Sequence, residues 1–167
     1  MSTTPPSVPA APLSVRRVPA SAVAPLRTHV LRPDWPADRL LALDADALAG
    51  TVHVTAERDG AVVGVGTVYA VAPNDDQRGI LPDEAFAPDV GWQLRGMATA
   101  DTARGQGVGA TVLAECVRAV RDGGGDVLWC HARLAAVRFY EREGLVAVGA
   151  VFDIPGIGPH VVMWRAV

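Results

Sequence analysis

The stretch RGQGVGATVLAECVRAV, residues 104–120, constrains this chain more than any other. Gly105, Gly107 and Gly109 stand at alternate positions and strip side chains from one short loop. Apolar residues at 108, 112, 113, 116, 117 and 120 then follow helical spacing, and DGGGD (122–126) ends the run. Upstream, WQLRGMAT (92–99) reads as a strand. A bare loop between a strand and a helix start offers backbone amides and the positive end of the helix dipole, so an anion is the expected ligand. Arg104 adds a full charge and a fork of donors suited to phosphate. The bland alternative is a glycine turn that only lets the helix pack closely. Three glycines with an arginine at this junction favour the phosphate.

The kind of phosphate narrows by elimination. GQGVGA also fits the dinucleotide pattern Gly-x-Gly-x-x-Ala, which needs an acidic residue at the end of the following strand. Here that strand ends Cys130-His131-Ala132, with no carboxylate to grip a ribose, and five elements precede the loop instead of one. A P-loop needs lysine after its last glycine; all 15 basic residues of the chain are arginine. The lack of lysine equally excludes a Schiff-base enzyme.

The rest of the chain supplies a mixed frame. Residues 1–12 are rich in proline, serine and alanine and read as a disordered tail, leaving 13–167 as one domain. The patterning predicts a strand at 13–18 and a helix at 21–31 with Ser21 as N-cap and Pro25 in its first turn. A hairpin over 51–71 turns at Asp59-Gly60. Residues 72–91 form a long connection with three prolines and five acids, of the kind that is usually functional or mobile. A strand at 127–131, a short helix at 135–143 stopped by Gly144, and two final strands around the tip 153–158 complete the chain. The order β-α-β-β-β-α-β-α-β-β predicts an α/β protein with one mixed sheet and helices packed on it. Trp92, Trp129 and Trp164 fall in strands and are expected in the core; Trp35 suits a pocket wall or a loop plug equally.

Charge and cysteine content bound the function. A net charge of −3 argues against a dedicated nucleic-acid or anionic-membrane partner. Cys116 and Cys130 make neither a disulfide framework nor a zinc site and are expected as buried free thiols; no metal is expected. The start MSTTPPSVPAAP lacks the charged and apolar regions of a signal peptide, and no run is long enough for a membrane helix, so a cytoplasmic location is expected.

Two signatures together resemble the GCN5-related N-acetyltransferase (GNAT) family. Arg104, Gly107 and Gly109 fill its pattern Arg/Gln-x-x-Gly-x-Gly/Ala at the start of a helix. Ala136, Tyr140, Glu141 and Gly144 match Ala-x-x-x-Tyr-Glu-x-x-Gly-Phe, with Leu145 in place of the Phe. Element order agrees over 13–166, so the resemblance covers nearly the whole chain. Trp129 to Arg133 and Ile157 to His160 are similar to a bacterial subgroup reading Trp-Cys-Asn-Ala-Arg and Ile-Gly-Pro-His.

The resemblance implies a GNAT-like acyl-CoA N-acyltransferase fold, acetyl-coenzyme A as cofactor and an amine acceptor. It implies the diphosphate on the amides of Gly105, Gln106, Gly107, Val108, Gly109 and Ala110, with Arg104 beside it. It implies the pantetheine arm against Met97, Ala98 and Thr99, as an added strand. Tyr140 takes the position that serves the departing thiolate in many relatives. Arg133 stands where relatives often carry an Asn that meets the cofactor arm, and His131 replaces the Asn of the subgroup. The strand WQLRGM lacks the carboxylate that several relatives use as base. A homodimer is compatible with the resemblance, though no residue demands one.

An alkylamine of pKa about 10.4 costs about 4.6 kcal/mol to present neutral at pH 7, so a base is needed. His131 and His160 are the candidates, and a structural role fits either as well. Glu84 and its neighbouring acids could instead draw in a cationic amine. Periodicity alone would place Tyr140 in the core beside Phe139; register with the family signature assigns it to the site. The reading is an acetyl-CoA-dependent N-acetyltransferase for a small-molecule or protein amine. The rival is a non-catalytic acyl-CoA-binding sensor or interaction module.

Overall fold

The computed structural model describes residues 11–167, so the tail expected over residues 1–12 lies, up to residue 10, outside the described residues. Seven strands form one sheet: β1 Ser14–Val18, β2 Val52–Arg58, β3 Ala61–Ala70, β4 Gly91–Thr99, β5 Val127–Arg133, β6 Val146–Ile154 and β7 Gly158–Ala166. Their spatial order is β1-β2-β3-β4-β5-β7-β6. Among the described strands only β4 and β5 pair in parallel, which requires the crossover supplied by helix α2, Val108–Asp122. The remaining helices are α1 Ala20–Leu31 and the short α3 Val137–Arg142, entered through a 3₁₀ turn at Leu134–Ala136. Element order matches the sequence reading.

The amphipathic stripe of α2 buries Val108, Val112, Leu113, Cys116, Val117 and Val120 in the main core, with Val54, Val68, Leu94, Leu128 and Met163 from the sheet. Gly64 and Gly66 of β3 allow that close approach: a Cβ at Gly66 would lie 3.0 Å from Val112 Cγ1 and 3.1 Å from Cys116 Sγ. The opposite face carries α1, whose Val23 packs on Val65 and Ala98, and the long connection, whose Leu81 packs on Trp129 and Val162. That connection is structured by 3₁₀ turns at Asp75–Gln77 and Asp83–Phe86. Both cysteines are buried free thiols, and burial pushes each up to about 12. No helix among the described residues is long and apolar enough to cross a membrane.

Strand β5 runs two residues past the expected 127–131, the helix expected over 135–143 is α-helical only at Val137–Arg142, and the start of α1 differs as well. Helix α1 begins at Ala20, with Pro19 at the N-cap and no side-chain cap, so Ser21 lies inside the helix. Pro25 therefore sits two positions further in, in the second turn, where its missing N–H leaves a helical carbonyl without its usual donor. Burial of Val23, Ala24, Arg27 and Thr28 holds the helix despite this.

Candidate functional site

Two features of β4 open the sheet. Val65 pairs with Ala98 and Thr67 with Arg95, so Gly96 and Met97 together face Gly66 in a bulge, with Gly96 at φ +59°. Already before the bulge β4 leaves β5: their parallel pairing covers only Gly91, Trp92 and Gln93 against Val127, Leu128 and Trp129. The edge from Leu94 to Thr99 is thereby free on the β5 side. Two cavities fill the gap.

The first, about 610 Å³, is walled by Met97, Ala98 and Thr99 of β4, the glycine loop and α3. Of the residues expected at a cofactor, it brings together Met97, Ala98, Thr99, Arg104, Gly105, Gly107, Val108, Gly109, Ala110 and Arg133. Gly107 is the N-cap of α2 at φ +77° and Gly105 has φ +73°, a region that L side chains disfavour. A Cβ at either would meet nothing within 4 Å. Tight packing of the protein on itself therefore does not explain those two glycines. Gly109 differs, since its Cβ would press on Phe139 Cε2 at 3.2 Å. The first amide bonding back into α2 is that of Thr111, to Gly107 O at 3.0 Å, so the amides of Val108, Gly109 and Ala110 have no partner within the helix. Gln106 is the exception to the expected set. Its side chain does not line the cavity but bonds Arg58 and, at 2.9 Å, Thr102 O. Arg104 lines the mouth while paired with Asp101 at 2.8 Å.

The second cavity, about 620 Å³, lies between the end of α1, the long connection and the β6–β7 tip. Both expected bases line it, His131 from β5 and His160 from β7. The two cavities share Met97, Arg133, Ala136 and Tyr140. Tyr140 is only 8 % exposed, and burial raises its pKa well above the usual phenol value, with Cys130 and Cys116 adding to the effect. It stays protonated, with its O–H available to donate.

Hydrogen bonds distinguish the two histidines. Gln77 Oε1 accepts the Asn74 amide at 3.0 Å, which turns its NH₂ toward His131 Nε2 at 2.7 Å. That nitrogen must accept, so His131 carries its proton on Nδ1 and its lone pair is already engaged. Burial lowers the His131 pKa, and the charges of Arg95 and His160 lower it further. His160 has the opposite tautomer: Nδ1 donates to Gly158 O at 2.7 Å, leaving Nε2 with the lone pair.

Part of the second wall was not legible in the sequence. Arg27, fully buried, donates to Leu41 O at 3.0 and 2.6 Å and grips Asp46 through both carboxylate oxygens, at 3.0 and 2.5 Å. Burial opposes ionisation of Asp46, but Arg27 and the Leu43 amide outweigh it and hold the carboxyl below its ordinary range. This clamp fixes residues 41–44 as cavity wall. Glu84, by contrast, is exposed and outside the cavity lining; among the described residues Asp44 is the one acid lining it. Trp35 lies outside the lining too, partly buried under the Arg39 guanidinium at 3.6 Å.

Comparison with known proteins agrees with this geometry. A sequence model described as Acetyltransferase (GNAT) family matches residues 21–145. An uncharacterized N-acetyltransferase of Bacillus subtilis, YitI, is 30% identical over 153 residues, covering 92% of this chain and 95% of the relative. Among solved structures, an acyl-CoA N-acyltransferase from Pseudomonas aeruginosa superposes with a TM-score of 0.65 at 20% identity, over 93% of this chain and 99% of its own. An aminoglycoside 6'-N-acetyltransferase complexed with coenzyme A gives 0.63 at 16% identity, over 92% and 96%. Sequence match and shared sheet topology lead to one conclusion: this chain belongs to the GNAT family of acetyltransferases.

Proposed function

We propose that the protein is an acetyl-CoA-dependent N-acetyltransferase, with coenzyme A in the first cavity and an amine acceptor in the second. The observation that carries this is the junction: two cavities of similar size meet at Met97, Arg133, Ala136 and Tyr140. The first cavity fits the cofactor because its loop glycines leave open space where a Cβ would stand and its helix amides lack helical partners. The amides of Gly105 to Ala110 would hold the diphosphate, with Arg104 as counter-charge. The free edge at Met97 to Thr99 would take the amide-bearing arm as an added strand. Bound there, acetyl-CoA supplies an acetyl group activated as a thioester.

The chain's own residues then do three things. His160 Nε2 takes the proton from the acceptor amine, as its tautomer allows. A backbone N–H on the free β4 edge polarises the acetyl carbonyl. As the new C–N bond forms and the C–S bond breaks, the electron pair leaves on sulfur, which receives the Tyr140 O–H. A phenol of raised pKa serves sulfur as a hydrogen-bond donor instead of transferring its proton fully. His131, with its lone pair engaged by Gln77, acts as wall and not as base.

The experiment is a thiol-release assay with acetyl-CoA and an amine panel, run beside a coenzyme A thermal shift. Release that depends on an amine supports the proposal. A shift with no release from any amine would instead mark a non-catalytic acyl-CoA-binding module.

A further inference from the structure

The charge of the second cavity does not follow that of the chain. The protein is acidic, at −3, yet this cavity is lined by Arg32, Arg95 and Arg133 against the single acid Asp44. Among the described residues, none of these three arginines forms an ion pair, whereas Arg27 beneath the same wall is paired with Asp46. They come from separate elements: Arg32 at the C-cap of α1, the exposed Arg95 from β4 just before the bulge, and Arg133 from the end of β5. Arg32 is held between its own chain and Trp35, donating to Leu31 O at 2.7 Å with its guanidinium 5.7 Å from the ring centre. Arg133 reaches the same carbonyl at 3.4 Å. Two guanidinium groups thus converge on one carbonyl. Burial and the charge of Arg133 both lower the Arg32 pKa, as unrelieved repulsion requires.

Bringing like charges together in a half-buried cleft is unfavourable unless an anion joins them. Guanidinium forks match carboxylate and phosphate oxygens. We propose that the acceptor is a small amine carrying its own anionic group, carboxylate or phosphate, which Arg32 binds with Arg133 beside it and the exposed Arg95 of the same lining, while the amine points toward His160 and Tyr140. Resting on the acetyltransferase reading, this names the acceptor class that reading leaves open. Polycationic amines are repelled by the same cleft.

The test compares matched acceptors by thiol release. Free amino acids are set against their carboxamides, phosphoethanolamine against ethanolamine, and spermidine serves as polycation. The expected result is a preference in kcat/KM on the order of tenfold to a hundredfold for at least one anionic member over its neutral twin. Arg95→Gln and Arg32→Gln should each shrink that preference through acceptor KM, leaving the KM for acetyl-CoA in place. The better of the carboxylate and phosphate pairs identifies the anion. Carboxamides or spermidine used as well as the anionic amines would overturn the proposal while leaving acetyl transfer intact. If no amine is turned over, thermal shifts with N-acetyl amino acids and their amides decide: selective stabilisation by the acids supports the anion site, equal shifts or none refute it.

Discussion

Replacing Tyr140 by Phe isolates one hydroxyl at the meeting point of the two cavities. The ring packs in the main core and edge-on to Phe139, with centroids 5.0 Å apart, and Phe keeps every one of those contacts. No hydrogen bond from the Tyr140 hydroxyl to another described residue forms, and no fully buried side-chain polar atom there lacks a partner, so the hydroxyl faces the cavities. Folding stability should then hardly change, with Tm moving by no more than about 2 °C, since about 1 kcal/mol corresponds to about 2–4 °C at this size. The catalytic effect is larger. A hydrogen bond to a charged partner contributes about 1.5–3 kcal/mol, and every 1.36 kcal/mol is tenfold in rate, so kcat should fall about 10- to 10²-fold. The KM for acetyl-CoA should stay put, because the bond strengthens only as charge builds on sulfur. Steady-state thiol release with both proteins at saturating cofactor measures it. Equal kcat would refute the role; a matching collapse in Tm would show that the hydroxyl is structural.

The other predictions concern the base, the clamp and pH. His160→Gln should lower kcat at least tenfold at pH 7, with the deficit shrinking toward pH 9–10 as free amine becomes abundant; a deficit flat across pH would assign His160 a structural role. Asp46→Ala leaves Arg27 buried without its partner, a loss of about 3–5 kcal/mol. It should also raise acceptor KM by loosening the wall at 41–44, both effects readable by denaturant melts and kinetics. His53 and His131 both have folded-state pKa values lowered chiefly by burial, below the unfolded value of about 6.5. The unfolded chain therefore takes up protons first, so stability is full above that value and declines as pH falls through it. Tm measured from pH 7.5 to 5 should drop, and His53→Gln should flatten the drop.

What the sequence disclosed depended on how local the signal was. The glycine loop, the stripe of α2 and the hairpin at Asp59-Gly60 are read from neighbours a few residues apart, and their elements stand where the pattern puts them. The long connection at 72–91, singled out for its length, does line the second cavity through Ala72, Asn74 and Gln77. The Arg27–Asp46 clamp left no local trace: its partners lie nineteen positions apart on elements with no shared periodicity. Nor could spacing separate the two histidines. Their tautomers follow from Gln77 and from the Gly158 carbonyl, contacts that exist only once the sheet has formed. Ser21 misled because cap preference is a small term, and burial of the α1 face set the boundary instead.

The central claim is that the amides opening α2 bind a diphosphate. Thermal unfolding with coenzyme A tests it most directly, in the unaltered protein and in Gly107→Asp. At coenzyme A about a hundredfold above Kd, stabilisation should reach about 2.7 kcal/mol, a Tm rise of about 5–11 °C. In Gly107→Asp the new side chain enters open space and its φ of +77° costs about 1–2 kcal/mol, which lowers the starting Tm without preventing folding, but its carboxylate stands where the diphosphate belongs and the rise should vanish. An unaltered protein whose Tm ignores coenzyme A, or a variant that responds in full, would contradict the account.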